Sequence, residues 1–325
     1  MKKTIFIISG ISLFLICAAQ EEKFPEAEIS NGLIKAHFYL PENGKGYYQG
    51  TRFDWSGIIN SLEFKGHSYY GQWFAKYSPT AHDAVMGPVE EFGPLGYKEA
   101  KPGESFVKVG IGSLTKPDGS TYSSYKLYQF VNPGKWKINK KADQIQFIHT
   151  LDDQSYPYEY TKTIKLTKGK SQLVITHSLK NKGTKAIETD AYDHNFLIID
   201  NEGTGPGYVV KFPVEVSGTG KGYGELYQFQ GKQLTYLKAF AKSESIYCGG
   251  MQGIGNDPKD YDIRVENIKT GAGVRITCDR PALKMVFWSS STTVCPEPYI
   301  LIKAEPGKEF TWTITYDYYT FDIQK

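Results

Sequence analysis

Cysteine is scarce in this chain, with four among 325 residues. That density excludes a small scaffold held together by disulfides. Leaving aside Cys17, which falls in a leader discussed below, Cys248, Cys278 and Cys295 remain. Three thiols cannot all pair within one chain, and none lies in a Cys-x-x-Cys arrangement, so they read as buried thiols with at most one disulfide. Histidine is also sparse: His37, His67, His82, His149, His177 and His194 show no His-x-x-x-His spacing, and no metal is expected from them. An excess of either charge is missing too, since 38 Lys+Arg face 35 Asp+Glu. Without a basic run there is no footprint for nucleic acid or for an anionic membrane. No Gly-x-Ser-x-Gly elbow occurs, which argues against a serine hydrolase. Gly218-Thr-Gly-Lys-Gly-Tyr-Gly224 has neither dinucleotide nor P-loop spacing and reads as a flexible loop, so no cofactor is expected. Amphipathic helices of three turns or more are absent from the pattern, and no repeat of fixed period points to a propeller or solenoid.

One long apolar run is present, and it stands at the N-terminus. Lys2 and Lys3 precede Ile5–Ile16, and small residues follow at Ala18 and Ala19. The run is short for a bilayer span and ends in a cleavage pattern, so residues 1–19 read as a signal peptide. Lipid attachment at Cys17 is disfavoured because Ile16 stands where a lipoprotein signal wants Gly, Ala or Ser. No later stretch is long and apolar enough to be a transmembrane segment. The expectation is one exported, periplasmic domain over residues 20–325.

What the chain has in quantity is glycine (33), tyrosine (24) and apolar residues (40%), enough for a large core built on strands and turns. Thr163–Thr167 and Leu173–Leu179 alternate with period two around Lys168-Gly-Lys-Ser171, which predicts a hairpin. Phe310-Thr-Trp-Thr-Ile-Thr-Tyr316 alternates in the same way. Phe106–Ile111, Gln144–His149, Val274–Thr277 and Leu283–Phe287 predict further strands. The fold class is all-β, a sandwich or barrel.

Two segments carry candidate chemistry. Asp190-Ala-Tyr-Asp-His-Asn-Phe-Leu-Ile-Ile199 places His194 in an otherwise apolar strand. Thr293-Val-Cys-Pro-Glu-Pro-Tyr299 holds Glu297 between two prolines, a setting too rigid and too poor in amide donors for a central strand. Taken alone, each has an ordinary structural explanation: a hydrogen-bonded strand histidine, and a solvent-facing loop acid.

Together they resemble the aldose 1-epimerase (galactose mutarotase) superfamily. His194 in Tyr-Asp-His-Asn-Phe is followed 103 residues later by Glu297, then by Lys303-Ala-Glu-Pro-Gly-Lys-Glu-Phe-Thr-Trp312, a proline-glycine turn before an aromatic last strand. Upstream, Gly50-Thr-Arg-Phe-Asp-Trp-Ser-Gly57 looks like the family segment whose arginine contacts sugar hydroxyls. The resemblance implies a large antiparallel β-supersandwich that binds a free sugar or short glycan without a cofactor. It implies that Glu297 is the base and His194 the acid in opening the pyranose ring, with exchange of roles on closure. Arg52, His82 and Glu91 would hold hydroxyls, and Trp55, Trp73 and Trp288 would offer flat faces to the ring. His82, in Pro79-Thr-Ala-His-Asp83, stands where the family's second histidine is expected, in different surroundings. The segment Gly87-Pro-Val-Glu-Glu-Phe-Gly93 departs from the common family pattern. Two alternatives stay open: a glycan-binding protein without turnover, and another acid/base reaction on a sugar, such as elimination from a uronic acid.

Overall fold

The computed structural model describes residues 24–323; the expected signal segment, with Cys17, lies outside them. Apart from two single-turn 3-10 segments, Ile199–Asn201 and Pro258–Asp260, the regular structure among the described residues is strand. Every named strand pairing is antiparallel, as period-two alternation with short turns favours.

A ten-stranded sheet and a five-stranded sheet form the two main layers. The predicted hairpin sits near the middle of the larger sheet, where Tyr158–Leu166 pairs with Gln172–Asn181 and Leu166 lies opposite Leu173. Beside it runs Glu309–Thr320, which contains the predicted Phe310–Tyr316 strand. Leu173, Ile175 and Leu179 from one strand, with Trp312, Ile314 and Tyr316 from the next, turn one face of this sheet into an apolar layer. Ala191, Ile300, Ile302, Met285 and Phe287 of the five-stranded sheet belong to the same core cluster. Each such side chain contributes about 1.5–3 kcal/mol when removed from water. This is the supersandwich expected from the sequence.

The smaller sheet has the order Ser245–Cys248, Lys284–Ser290, Val294–Ala304, Ile187–Phe196, Gly87–Phe92. Its second face is covered by an aromatic cluster that includes Phe53, Trp55, Phe106, Tyr128, Tyr192 and Phe196. Because both faces are covered, Gly87–Phe92 is buried at every position and shows no alternation to read.

Two expectations are corrected here. The strand predicted over Phe106–Ile111 spans only Ser105–Lys108, because Gly110 turns the chain at φ +73. A Cβ at Gly110 would lie 2.4 Å from Oδ1 of buried Asp54, so only glycine allows this approach. Trp55 is a core residue, 1% exposed, with Nε1 donating to the Gly50 carbonyl, and it cannot serve as a sugar platform. Cys248, Cys278 and Cys295 are all buried free thiols.

Candidate functional site

Register brings the two sequence candidates together. In the Ile187–Phe196 and Val294–Ala304 pair, Ile187 lies opposite Ala304 and Tyr192 opposite Tyr299. Two residues further along each strand, the same register sets His194 across from Glu297. Their side chains meet with His194 Nε2 and Glu297 Oε1 3.3 Å apart.

The Glu297 segment contradicts the expectation that its prolines would keep it out of a central strand. Val294–Ala304 is the middle strand of the five. The prolines fit because they are two residues apart and their missing N–H groups face the same neighbour. Pairing with Lys284–Ser290 runs unbroken from Val294 to Tyr299. Pairing with the His194 strand stops at Tyr192–Tyr299 and resumes only at Leu197–Val294. Within that gap Asn195 Nδ2 donates to the Pro296 carbonyl at 2.9 Å, so a side chain replaces a ladder bond. Thus the ladder opens where His194 and Glu297 stand.

Both groups are deeply buried, at 4% and 5% exposure, and form the floor of the site. His194 stacks on Phe196 at 3.8 Å between centroids and meets Phe53 and Trp288 edge-on. Burial holds its imidazole well below its ordinary range, and the nearby Arg52 cation adds to the effect. Burial likewise pushes the Glu297 carboxyl up to about 8, against the pull of Arg52 and with help from the Glu91 charge. Two states of the pair therefore differ by one proton crossing a short gap: carboxyl with neutral imidazole, or carboxylate with imidazolium.

Beside this floor lies a second cluster. The loop before Ile58 lies along Gly87–Phe92, with Asp54 N–H donating to the Glu90 carbonyl, and this fixes Arg52. Arg52 Nε donates to Glu91 Oε2 at 2.7 Å, and its Nη2 donates to Tyr192 Oη at 2.9 Å. Tyr192 in turn donates to Glu91 Oε2 at 2.6 Å. Lys108, buried, reaches Glu91 Oε1 at 3.5 Å and donates to Tyr122 Oη at 2.8 Å. Burial opposes ionisation of Glu91, but Lys108 and Arg52 outweigh it and hold its carboxyl below the usual carboxylate range. The adjacent Glu90 points to the other face of the sheet, into the core, where Lys162 and His177 hold it.

At the rim, Tyr125 is 68% exposed and covers Arg52 at 5.2 Å. His82 is partly exposed, packs edge-on against Tyr125 and lies 3.5 Å from Asp83 Oδ2. It belongs to the rim, and no direct contact joins it to His194 or Glu297 among the described residues. Trp288 edges onto His194, while Trp73 stacks on Phe196 at 4.9 Å. Tyr247 is half-exposed; partial burial, and then the Glu297 charge, raise its phenol pKa above the usual value.

His194, Glu297, Arg52 and Glu91 therefore occupy one region, with His82 at its edge. Sequence reading missed Tyr192, Lys108, Tyr122, Tyr125 and Tyr247. Tyr192 could have been found, since it lies two residues before His194 and so shares its face. Lys108 lies in the strand predicted from Phe106, but alternation does not reveal that this lysine is buried at the site; the other three reach it through loops or an edge strand.

No family model matches the chain, and no curated protein matches it either. Solved structures do. A galactose mutarotase related enzyme from Lactobacillus acidophilus is similar at 13% identity and a TM-score of 0.54, over 93% of this chain and 100% of that one. A GalM/aldose epimerase homologue from C. elegans gives 12% identity and 0.54, over 92% and 99%. A galactose mutarotase-like protein from Clostridium acetobutylicum gives 11% identity and 0.55, over 91% and 95%. At such identities the likeness concerns backbone architecture and not chemistry. The chain has the galactose mutarotase-like fold.

Proposed function

We propose that the protein is an exported sugar-binding enzyme that interconverts the α and β anomers of a reducing sugar. The observation that carries this reading is the 3.3 Å approach of His194 Nε2 to Glu297 Oε1 across the opened ladder, beside the Arg52–Glu91–Tyr192 cluster. Anomer exchange needs one group to accept the proton of the anomeric hydroxyl and another to give a proton to the ring oxygen. The carboxylate–imidazolium form of the pair can do both. Glu297 takes the proton from O1, His194 gives one to O5, and the C1–O5 bond breaks to leave a free aldehyde. After rotation about C1–C2, the proton transfers run in reverse and the ring closes on the other face. The two transfers balance, so the pair ends each turnover as it began. A carboxyl raised toward neutrality suits such work, because its driving force in both directions is then comparable. Arg52, with five N–H donors and two of them used within the protein, has donors left for ring hydroxyls. Tyr125, Tyr247 and Trp288 supply apolar faces at the entrance.

Polarimetry on freshly dissolved α-glucose, α-galactose and a panel of other aldoses tests the proposal. The expected result is that at least one sugar mutarotates faster in proportion to protein concentration. A sugar that binds by calorimetry while none mutarotates faster would instead identify a binding protein on the same fold. New ultraviolet absorbance from a uronic acid substrate would identify an eliminating enzyme.

A further inference from the structure

The site sheet continues past the catalytic candidates into a cavity that anomer exchange on one sugar does not require. On the face that carries His194 and Glu297, the next opposed pair along the strands is Tyr192 and Tyr299, and the next is Asp190 and Leu301. Strand geometry puts Asp190 and Leu301 about 13 Å from the His194–Glu297 pair. Both line a cavity of about 820 Å³, together with Gly93, Tyr97, Tyr122 and Tyr156 among others. That volume falls in the range of sites that bury whole drug-sized ligands, well beyond the needs of one more hydroxyl.

Two side chains connect this cavity with the site. Tyr122 lines the cavity, and its hydroxyl receives a bond from Lys108, whose ammonium also faces Glu91. Lys284 Nζ lies 4.0 Å over the Tyr299 ring and 3.9 Å from Asp190 Oδ2. The space between the catalytic pair and the cavity is thus bordered by aromatic faces and charged hydrogen-bonding groups.

The lining also indicates the class of occupant. Lys98 and Lys116 are matched by Glu99, Glu188 and Asp190. Lys116 is already engaged, with Nζ donating to the carbonyls of Tyr97 and Ala100. An anion such as a phosphate therefore finds no free cluster of cations. Phenol rings, carboxylates and the half-exposed Leu301 suit instead an uncharged ligand with apolar C–H faces and many hydroxyls.

We infer that the protein acts on the reducing end of a neutral oligosaccharide: the reducing sugar sits at His194 and Glu297, and the following sugar units occupy the cavity along Tyr299, Asp190 and Leu301. This rests on the proposed function for the identity of the first sugar's site, and on the cavity for the rest.

The test compares glucose with cellobiose and maltose, and galactose with lactose, measuring binding by calorimetry and anomer exchange by NMR. The expected result is that at least one disaccharide binds tenfold or more tighter than glucose or galactose alone. Leu301→Arg, which places a cation over the cavity, should bring that disaccharide back to within threefold of the monosaccharide, and Tyr156→Ala should weaken it at least threefold. A tenfold preference for no disaccharide overturns the inference, as does a preference that survives both substitutions. If sugars anomerise without such a preference, only the cavity assignment fails. If a disaccharide is preferred but nothing anomerises, the catalytic reading fails and the oligosaccharide cleft stands.

Discussion

His194 Nε2 lies 3.3 Å from Glu297 Oε1 where two prolines interrupt the ladder between their strands. The pairing determines the expected pH dependence of the rate. Burial raises Glu297 to about 8 and lowers His194, so the singly protonated pair that the mechanism uses persists up to that pH and loses its proton above it. In this account kcat/KM for anomer exchange changes little from pH 6.5 to 7.5 and falls above about pH 8, by up to about tenfold per unit on its steepest part. A pH–rate profile by polarimetry, corrected for spontaneous mutarotation, checks it; a rate that climbs steadily through pH 8 contradicts it.

The same burial shapes stability, with the two groups acting in opposite directions. Glu297 is raised above its usual 4.5, so the folded protein holds a proton that the unfolded chain has released, and stability falls as pH rises toward 8. His194 is lowered, so the unfolded chain holds the extra proton below about 6.5, and stability falls as pH drops through that value. Between about 4.5 and 6.5 the two slopes offset one another. Above 6.5 only the glutamate of this pair acts. Buried Asp54, raised to about 7, and Asp193, raised well above its usual range, slope the same way. It is therefore the glutamate's share, the difference between wild type and Glu297→Gln on denaturant unfolding, that should decline between pH 6.5 and 8 by at most about 1.4 kcal/mol per unit. Glu297→Gln should remove that share of the decline and leave the part due to the two aspartates.

Arg52 holds Glu91 through Nε and Tyr192 through Nη2, with little of the side chain exposed. Arg52→Ala leaves the Glu91 carboxylate with Lys108 at 3.5 Å and the Tyr192 hydroxyl as its remaining partners. Loss of one partner of a buried pair costs about 3–5 kcal/mol; with two partners kept, the cost should fall at the lower end, about 3 kcal/mol. Chemical denaturation measures it. Arg52→Lys should retain more of the stability, yet lose the two-pronged geometry and raise KM.

Asn195 is the strap behind the catalytic gap. Its Nδ2 donates to the Pro296 carbonyl, and its Oδ1 accepts from Tyr316 Oη at 2.9 Å. Asn195→Ala strands the buried Pro296 carbonyl, while the Tyr316 hydroxyl keeps Asp193 Oδ2 at 2.7 Å, and about 1–3 kcal/mol should be lost. Because Pro296 adjoins Glu297, kcat should fall along with stability. By contrast Tyr125→Ala, at an exposed rim position, should raise KM while changing stability by no more than about 0.5 kcal/mol.

The sequence discloses the sheets where one face is buried. Thr163–Thr167, Leu173–Leu179 and Phe310–Tyr316 alternate because one face is buried and the other is more open, and their strands form as expected. Gly87–Phe92 conveys nothing by periodicity because both its faces are covered. The central-strand prolines misled for a different reason: proline disfavours ladders in general, but two prolines of equal phase sacrifice bonds to one neighbour only. His194 and Glu297 were legible as a spaced pair through a family resemblance, while Lys108 and Tyr125 approach the site through tertiary contacts that leave no local trace.

The most direct test of the account is two-dimensional exchange NMR on an equilibrated reducing sugar, following cross-peaks between the α and β anomeric protons. With wild-type protein, and a sugar that binds it, the cross-peaks should build up in proportion to protein concentration. With folded Glu297→Gln, and separately with His194→Gln, exchange should slow by about 100-fold or more while the sugar still binds. Exchange at the wild-type rate in either folded variant would contradict the assignment of proton transfer to this pair.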